Sequence, residues 1–149
     1  MDHEPPTTVP EDRQSVEFDH VGLSVPDLGA ATAWYCETLG LTAAPEFAVP
    51  GTDLRGVMLL HEPSGYRLEL LHRASAHPGM QPTSAEDAAG THGYGHICLR
   101  VADVRREFAR LLAAGATSRK DPSPSPRPGA TVSFVADPWG NLIEVIDRA

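Results

Sequence analysis

Cysteine is scarce in this chain: Cys36 and Cys98 are the only two in 149 residues. A small secreted scaffold held by disulfides needs more. Both are therefore expected as buried small side chains, and a reducing cytoplasm is the expected home. Basic residues are also outnumbered. Twelve Lys and Arg face twenty Asp and Glu, for a net charge of −8. That balance argues against nucleic acid and anionic membrane surfaces as partners, because both attract clustered cations. No hydrophobic run is long enough to span a bilayer. The N-terminus is acidic and Pro-rich and lacks the basic-then-apolar order of a signal or transit peptide. Residues 1–15 are expected to form a disordered lead. What remains, 41% hydrophobic and 21% charged, is the composition of one globular domain with room for a real core.

The organising feature is an internal repeat. His20-Val-Gly-Leu-Ser-Val-Pro-Asp27 and His96-Ile-Cys-Leu-Arg-Val-Ala-Asp103 both read H-x-x-L-x-V-x-D. Pro63-Ser-Gly-Tyr-Arg-Leu-Glu69 and Pro138-Trp-Gly-Asn-Leu-Ile-Glu144 both read P-x-G-x-x-[LI]-E. The spacing from His to Glu is 49 residues in the first half and 48 in the second. The chain thus divides into a first module at 16–72, a linker at 73–91 and a second module at 92–149.

Each module opens with a strand, at about 17–25 and 94–101, whose apolar residues alternate. Asp27 and Asp103 stand at helix N-cap positions. The spacing predicts helices over 28–39, burying Leu28, Ala31, Tyr35 and Leu39, and over 104–114, burying Val104, Phe108, Leu111 and Leu112. Gly40 and Gly115 are the C-cap candidates. Two strands around a tight turn close each module, at 55–61 and 66–72, then at 130–136 and 141–147. Weaker strands near 44–49 and 116–120 complete a βαβββ unit. The stretch 121–129 is too Pro-rich for a helix or a central strand and reads as a stiff exposed loop over the site. The expected fold class is α+β, two tandem βαβββ modules forming a curved mixed sheet around a cleft.

Strand parity then selects four side chains. Val21, Leu23 and Val25 face the helix, so His20 faces away from it. Leu68 and Leu70 face the core, so Glu69 does not. The second module repeats this with His96 and Glu144. Two imidazoles and two carboxylates suit one divalent ion such as Mn, Co, Ni, Fe or Zn, and the absence of thiolates sets the group apart from structural zinc. A lone His opening a strand is usually a surface or satisfied residue; the recurrence of both types at both places carries the assignment. His61, His72, His77 and His92 lack such partners and are expected to be exposed or structural. Arg67 and Arg100 share the parity of the four and are candidates to hold an anionic or polyhydroxylated substrate, with a simple ion pair as the alternative.

The motifs D-H-V-G-L-S-V-P-D-L, W-Y-x-x-x-L-G-L, R-L-E-L-L-H and D-P-W-G-N-L-I-E-V resemble the vicinal oxygen chelate superfamily, which includes glyoxalase I, methylmalonyl-CoA and valiolone-type epimerases, extradiol dioxygenases and bleomycin-binding proteins. The resemblance covers about residues 16–147 and implies paired βαβββ modules. It also implies use of all four ligand positions, as in glyoxalase I and the epimerases, with Pro26-Asp27-Leu28, Arg55-Gly56-Val57 and Leu68-Glu69-Leu70 closest to the epimerase branch. Asp53, one step from where methylmalonyl-CoA epimerases carry a Glu, is a further substrate contact. The implied chemistry is proton abstraction next to a carbonyl on a small-molecule hydroxy-ketone, cyclitol or acyl thioester. Glu144 is the first candidate base and Glu69 its symmetric partner. A glyoxalase I-type lyase, a metal-free antibiotic-binding protein and an extradiol dioxygenase are the alternatives. The modules pair either within one chain or across a homodimer.

Overall fold

In the computed structural model, residues 10–148 are described; of the expected N-terminal lead, residues 1–9 lie outside this range. A single helical turn, α1 (Glu11–Gln14), precedes the first module. That module comprises β1 (Val21–Ser24), α2 (Leu28–Leu39), β2 (Thr42–Ala43), β3 (Phe47–Ala48), β4 (Arg55–Leu60) and β5 (Arg67–His72). A short helix, α3 (Ala85–Ala89), lies in the linker. The second module comprises β6 (Ile97–Arg100), α4 (Val104–Ala113), β7 (Thr117–Pro124), β8 (Ala130–Ala136) and β9 (Leu142–Arg148).

The repeat read from sequence is a repeat of topology. The first sheet runs β1-β5-β4-β2, with β3 also pairing β4, and the second runs β6-β9-β8-β7. In both, the opening strand lies parallel to the closing one and the remaining pairs are antiparallel. The two sheets are not hydrogen-bonded to each other, and β1 and β6 each form an edge. Helices α2 and α4 start where the caps demand, α2 stops at the expected Gly40, and α4 ends on the C-cap Ala114, one residue before the expected Gly115. Asp27 accepts from the Ala30 N–H at 2.9 Å and Asp103 from the Arg106 N–H at 3.1 Å, each satisfying one orphan donor of the first turn. Gly40 ends α2 in the left-handed region, φ 67°, where a side chain would be strained.

One apolar cluster joins the modules: Leu28, Ala31, Tyr35, Leu59 and Leu70 of the first pack with Leu111, Val135, Ile143 and Val145 of the second. Polar contacts fix the fit. The Trp34 indole N–H donates to the Ala114 carbonyl at 2.8 Å, and the Trp34 ring meets Trp139 edge-on at 6.3 Å. The Tyr35 hydroxyl, fully buried, donates to Asp137 Oδ2 at 2.6 Å. Burial and the Asp137 charge push this phenol well above its usual pKa, so it remains a donor.

Three expectations need correction. Cys98 is exposed and Cys36 half-buried, because Cys98 falls on the face of β6 opposite the core. The Pro-rich stretch is a loop only from Ser125 onward. Its first part is the end of β7, an edge strand whose register shifts twice, which accommodates Pro122 and Pro124 where no ladder N–H is needed. The linker carries α3, whose Ala88 packs on Val132, Phe134 and Leu142; its N-cap Ser84 accepts from the Asp87 N–H at 3.0 Å.

Because Asp137 also accepts from Trp139 N, Asn141 N and Asn141 Nδ2, removing the phenol does not leave its carboxylate bare. Tyr35→Phe is expected to lower stability by about 1–2 kcal/mol, read as a fall in urea midpoint at unchanged slope. An unshifted midpoint would show that this bond does not help hold the modules together.

Candidate metal centre

The two parallel strand pairs set the site. In the first module the register pairs Gly22 with Glu69, so His20, just before β1 and two residues from Gly22, lies on the same face as Glu69 at the centre of β5. His20 Nε2 lies 3.4 Å from Glu69 Oε2. The other ring nitrogen, Nδ1, lies 2.7 Å from Asp19 Oδ2, and Asp19 in turn holds Arg67 Nη1 at 3.3 Å. A carboxylate on Nδ1 fixes the ring and leaves Nε2 to face a cation, the usual support of a metal-ligating His. The Asp19 hydrogen bond, and then the Glu69 charge, raise His20 above its ordinary pKa, while the His20 bond lowers Asp19. Asp19 was not singled out from the sequence, though its place next to His20 was the available signal.

The second module repeats the pair in a drier setting. The register pairs Cys98 with Glu144, and His96 Nε2 lies 3.0 Å from Glu144 Oε2. The Glu144 side chain is 9% exposed against 21% for Glu69. Phe134 meets the His96 ring edge-on at 5.3 Å. Where the first module has Gly22, the second has Cys98. Partial desolvation of its sulfur and the Glu144 charge push this thiol up to about 11, so it stays protonated at neutral pH. Arg127, on the tip between β7 and β8, brings Nη2 to 3.6 Å from Glu144 Oε1. Sequence reasoning missed Arg127 as a site residue; the expectation of a loop over the site was the only pointer.

Each module thus brings its own His and Glu together. The two pairs do not merge: among the described residues no group of three His, Cys, Asp or Glu side chains is placed to hold a metal ion. A cavity of about 770 Å³ between the modules is lined by β1, the linker and Gly95–Ile97, and of the four candidate ligands it takes in His96 alone. Arg100 is exposed and has no ion-pair partner among the described residues. The Asp53 carboxylate is taken up by Arg73 Nε at 2.6 Å and by the Ser75 N–H and hydroxyl. His72 Nδ1 contacts the Val25 carbonyl at 3.0 Å, and His61 stacks on Tyr66 at 4.9 Å.

A duplicated βαβββ fold with a His–Glu pair on each sheet defines a class, and comparison with known proteins gives the same one. The model of the Glyoxalase/Bleomycin resistance protein/Dioxygenase superfamily matches residues 17–145; the chain belongs to that superfamily. A lactoylglutathione lyase of Arabidopsis thaliana is 28% identical over 133 residues, covering 88% of this chain and 44% of the relative. The chain therefore spans less than half the length of that relative. An ethylmalonyl-CoA/methylmalonyl-CoA epimerase of Cereibacter sphaeroides is 34% identical over 99 residues, covering 66% of this chain and 71% of the relative. Crystalline glyoxalase I of Zea mays superposes with a TM-score of 0.68 at 22% identity, over 87% of this chain and 44% of that one, a likeness of fold. No helix among the described residues is long and apolar enough to cross a membrane.

In the metal-free protein the His20 imidazole is expected to titrate above 6.5, and Asp19→Asn to bring it back down toward that value. Proton NMR of the ring resonances against pH measures both. A His20 that titrates at or below 6.5 in the unsubstituted protein would remove Asp19 as its support.

Proposed function

We propose that this chain is a metal-dependent isomerase or epimerase that moves a proton at a carbon next to a carbonyl, in a site completed by a second copy of itself. The observation that carries this is the recurrence of one arrangement in both modules, an imidazole Nε2 turned to a carboxylate at 3.4 and 3.0 Å. The donors fit one divalent ion (Mn, Co, Ni, Fe or Zn), since both rings present nitrogen and both carboxylates oxygen on the same sheet face. His20, Glu69, His96 and Glu144 would hold it. When bound, it supplies Lewis acidity toward the substrate's carbonyl oxygen.

The protein's own groups do the rest. Glu144 takes the proton from carbon, in a setting dry enough to sharpen the electrostatics. Glu69, protonated at the start of the turnover, gives a proton back to the substrate in its place and ends as the carboxylate. Return to the same carbon from the other side is epimerisation; return to the neighbouring carbon is the isomerisation a glyoxalase-type lyase performs. The epimerase relative and the lyase relative support these two outcomes equally. The substrate is a small hydroxy-ketone, cyclitol or acyl thioester.

The need for a second copy rests on where the half-sites open. Both lie at the unpaired edges β1 and β6. An aromatic stands two residues before each histidine, Phe18 80% and Tyr94 98% exposed, at matching positions that a neighbouring chain would cover. The Arabidopsis relative, more than twice as long as its matched segment, has room for two such units in one polypeptide.

The direct test is metal analysis of the purified chain, followed by solvent-deuterium incorporation into candidate ketones. Glu144→Gln is expected to cut turnover about a hundredfold or more with the fold intact. A protein that takes up no divalent ion points instead to a metal-free binding protein, and strict Fe(II) and oxygen dependence with a catechol to a dioxygenase. Pairing is tested separately. His20→Ala and His96→Ala are each expected to be inactive, yet co-expression should restore about a quarter of the activity, since each mixed dimer keeps one intact site of two. No restoration would mean that the modules pair within the chain.

A further inference from the structure

The proton transfer proposed above leaves three arginines of the second module unexplained. On β6, Ile97 and Leu99 pack into the core, so Arg100 lies with Cys98 on the opposite, exposed face. The register sets Arg100 beside Ile146, two residues from Arg148 on the same face of β9. Arg148 lies opposite Ala130, at the base of the tip that carries Arg127. Arg127 and Arg148 line a cavity of about 230 Å³ with Pro128, Gly129, Ala130 and Ile146. The tip is held: the Ser125 N–H donates to the Ala130 carbonyl at 2.9 Å, the Arg127 N–H donates to Ser125 Oγ at 3.1 Å, and Pro126 and Pro128 flank the arginine. Neither Arg100 nor Arg148 has a carboxylate within 4 Å among the described residues. Among the described residues, the acid in reach of the group is Glu144, 3.6 Å from Arg127.

The repeat supplies an internal control. The first-module positions that match Arg100 and Arg148 are Ser24 and Arg73, and Arg73 is neutralised by Asp53 at 2.6 Å. In a chain of net charge −8, Arg100 and Arg148, without a carboxylate partner among the described residues, therefore have no unneutralised counterpart at the matching first-module positions. The group adjoins the more buried of the two candidate bases.

We propose that Arg100, Arg127 and Arg148 form an anion subsite beside Glu144, and that the substrate carries a carboxylate or phosphate that seats there. Guanidinium forks hold either group through paired charge-assisted bonds. Of the substrate classes named above, an anionic hydroxy-ketone or acyl thioester fits, and a neutral cyclitol does not. A seated anion also gives Arg127 a partner other than Glu144, leaving that carboxylate free to accept a proton. The link to substrate rests on the proposed function; anion binding itself rests on the arginines.

The test is calorimetric titration of the full chain, metal-stripped and metal-loaded, with inorganic phosphate and with malonate in separate runs at low ionic strength. At least one probe is expected to bind, and which one binds more tightly identifies the group. The double variant Arg100→Ala/Arg148→Ala should weaken binding by about tenfold or more. Arg105→Ala/Arg106→Ala on the exposed side of α4, with the same charge change, should not. Arg127→Ala alone, in a loop outside both sheets, should also weaken it and keeps the test decisive should the double variant unfold. No binding of either probe, or equal weakening by the two double variants, overturns the subsite. Metal content measured on the same samples separates the two readings: metal uptake without anion binding removes only the subsite, and anion binding without metal uptake removes only the metal-dependent reaction.

Discussion

The parallel pairing of the first and last strands in each module is the constraint on which everything else rests. It sets Gly22 against Glu69 and Cys98 against Glu144, and so places each histidine and its glutamate on the same side of a sheet. A slip of one residue in either pair would turn the carboxylate into the core and an aliphatic side chain into the cleft. The register is pinned from the other side. Leu68, Leu70, Ile143 and Val145 are almost fully buried, and moving them to solvent would cost roughly 1.5–3 kcal/mol each. The apolar face thus fixes the polar one, and each His–Glu pair is held by packing that takes no part in its contact.

The same logic explains what could be read in the sequence. The repeat, the helices over 28–39 and 104–114, the caps at Asp27, Asp103 and Gly40, and the face on which each His and Glu stands are local or periodic, and they are legible because period and cap chemistry are written in neighbouring residues. The contacts that join the modules are not. Tyr35 to Asp137 and Trp34 to Ala114 span 102 and 80 residues, and nothing near either partner announces the other. The extent of β7 was obscured by its prolines, which signal the end of a strand in a sheet interior but are tolerated at an edge. Cys98 was assigned to the core from its residue type, although the parity that exposes Arg100 exposes it too. The two pairs stay apart within the chain among the described residues, and a single chain's sequence has no term for what would bring them together.

The repeat carries two His–Glu pairs, and their surroundings are unequal. The first is open: Glu69 sits beside Gly22, and a Cβ there would come only to 3.6 Å from its Oε2. Asp19 both orients His20 and neutralises Arg67. The second is enclosed: Phe134 flanks His96, Cys98 fills the space that Gly22 leaves in the first, α3 packs beside it on Phe134 and Leu142, and Arg127 reaches in from above. In a site assembled from one half of each kind, the two carboxylates cannot be interchangeable. The sheltered one, with a cation at 3.6 Å, has the environment in which a proton transfer is shielded from water. The open one, backed by an oriented imidazole and 21% exposed, has the environment of the proton-returning partner, which can exchange its proton with solvent. A symmetric fold can in this way hold an asymmetric reaction, with the difference residing in the residues around the four, not in the four themselves.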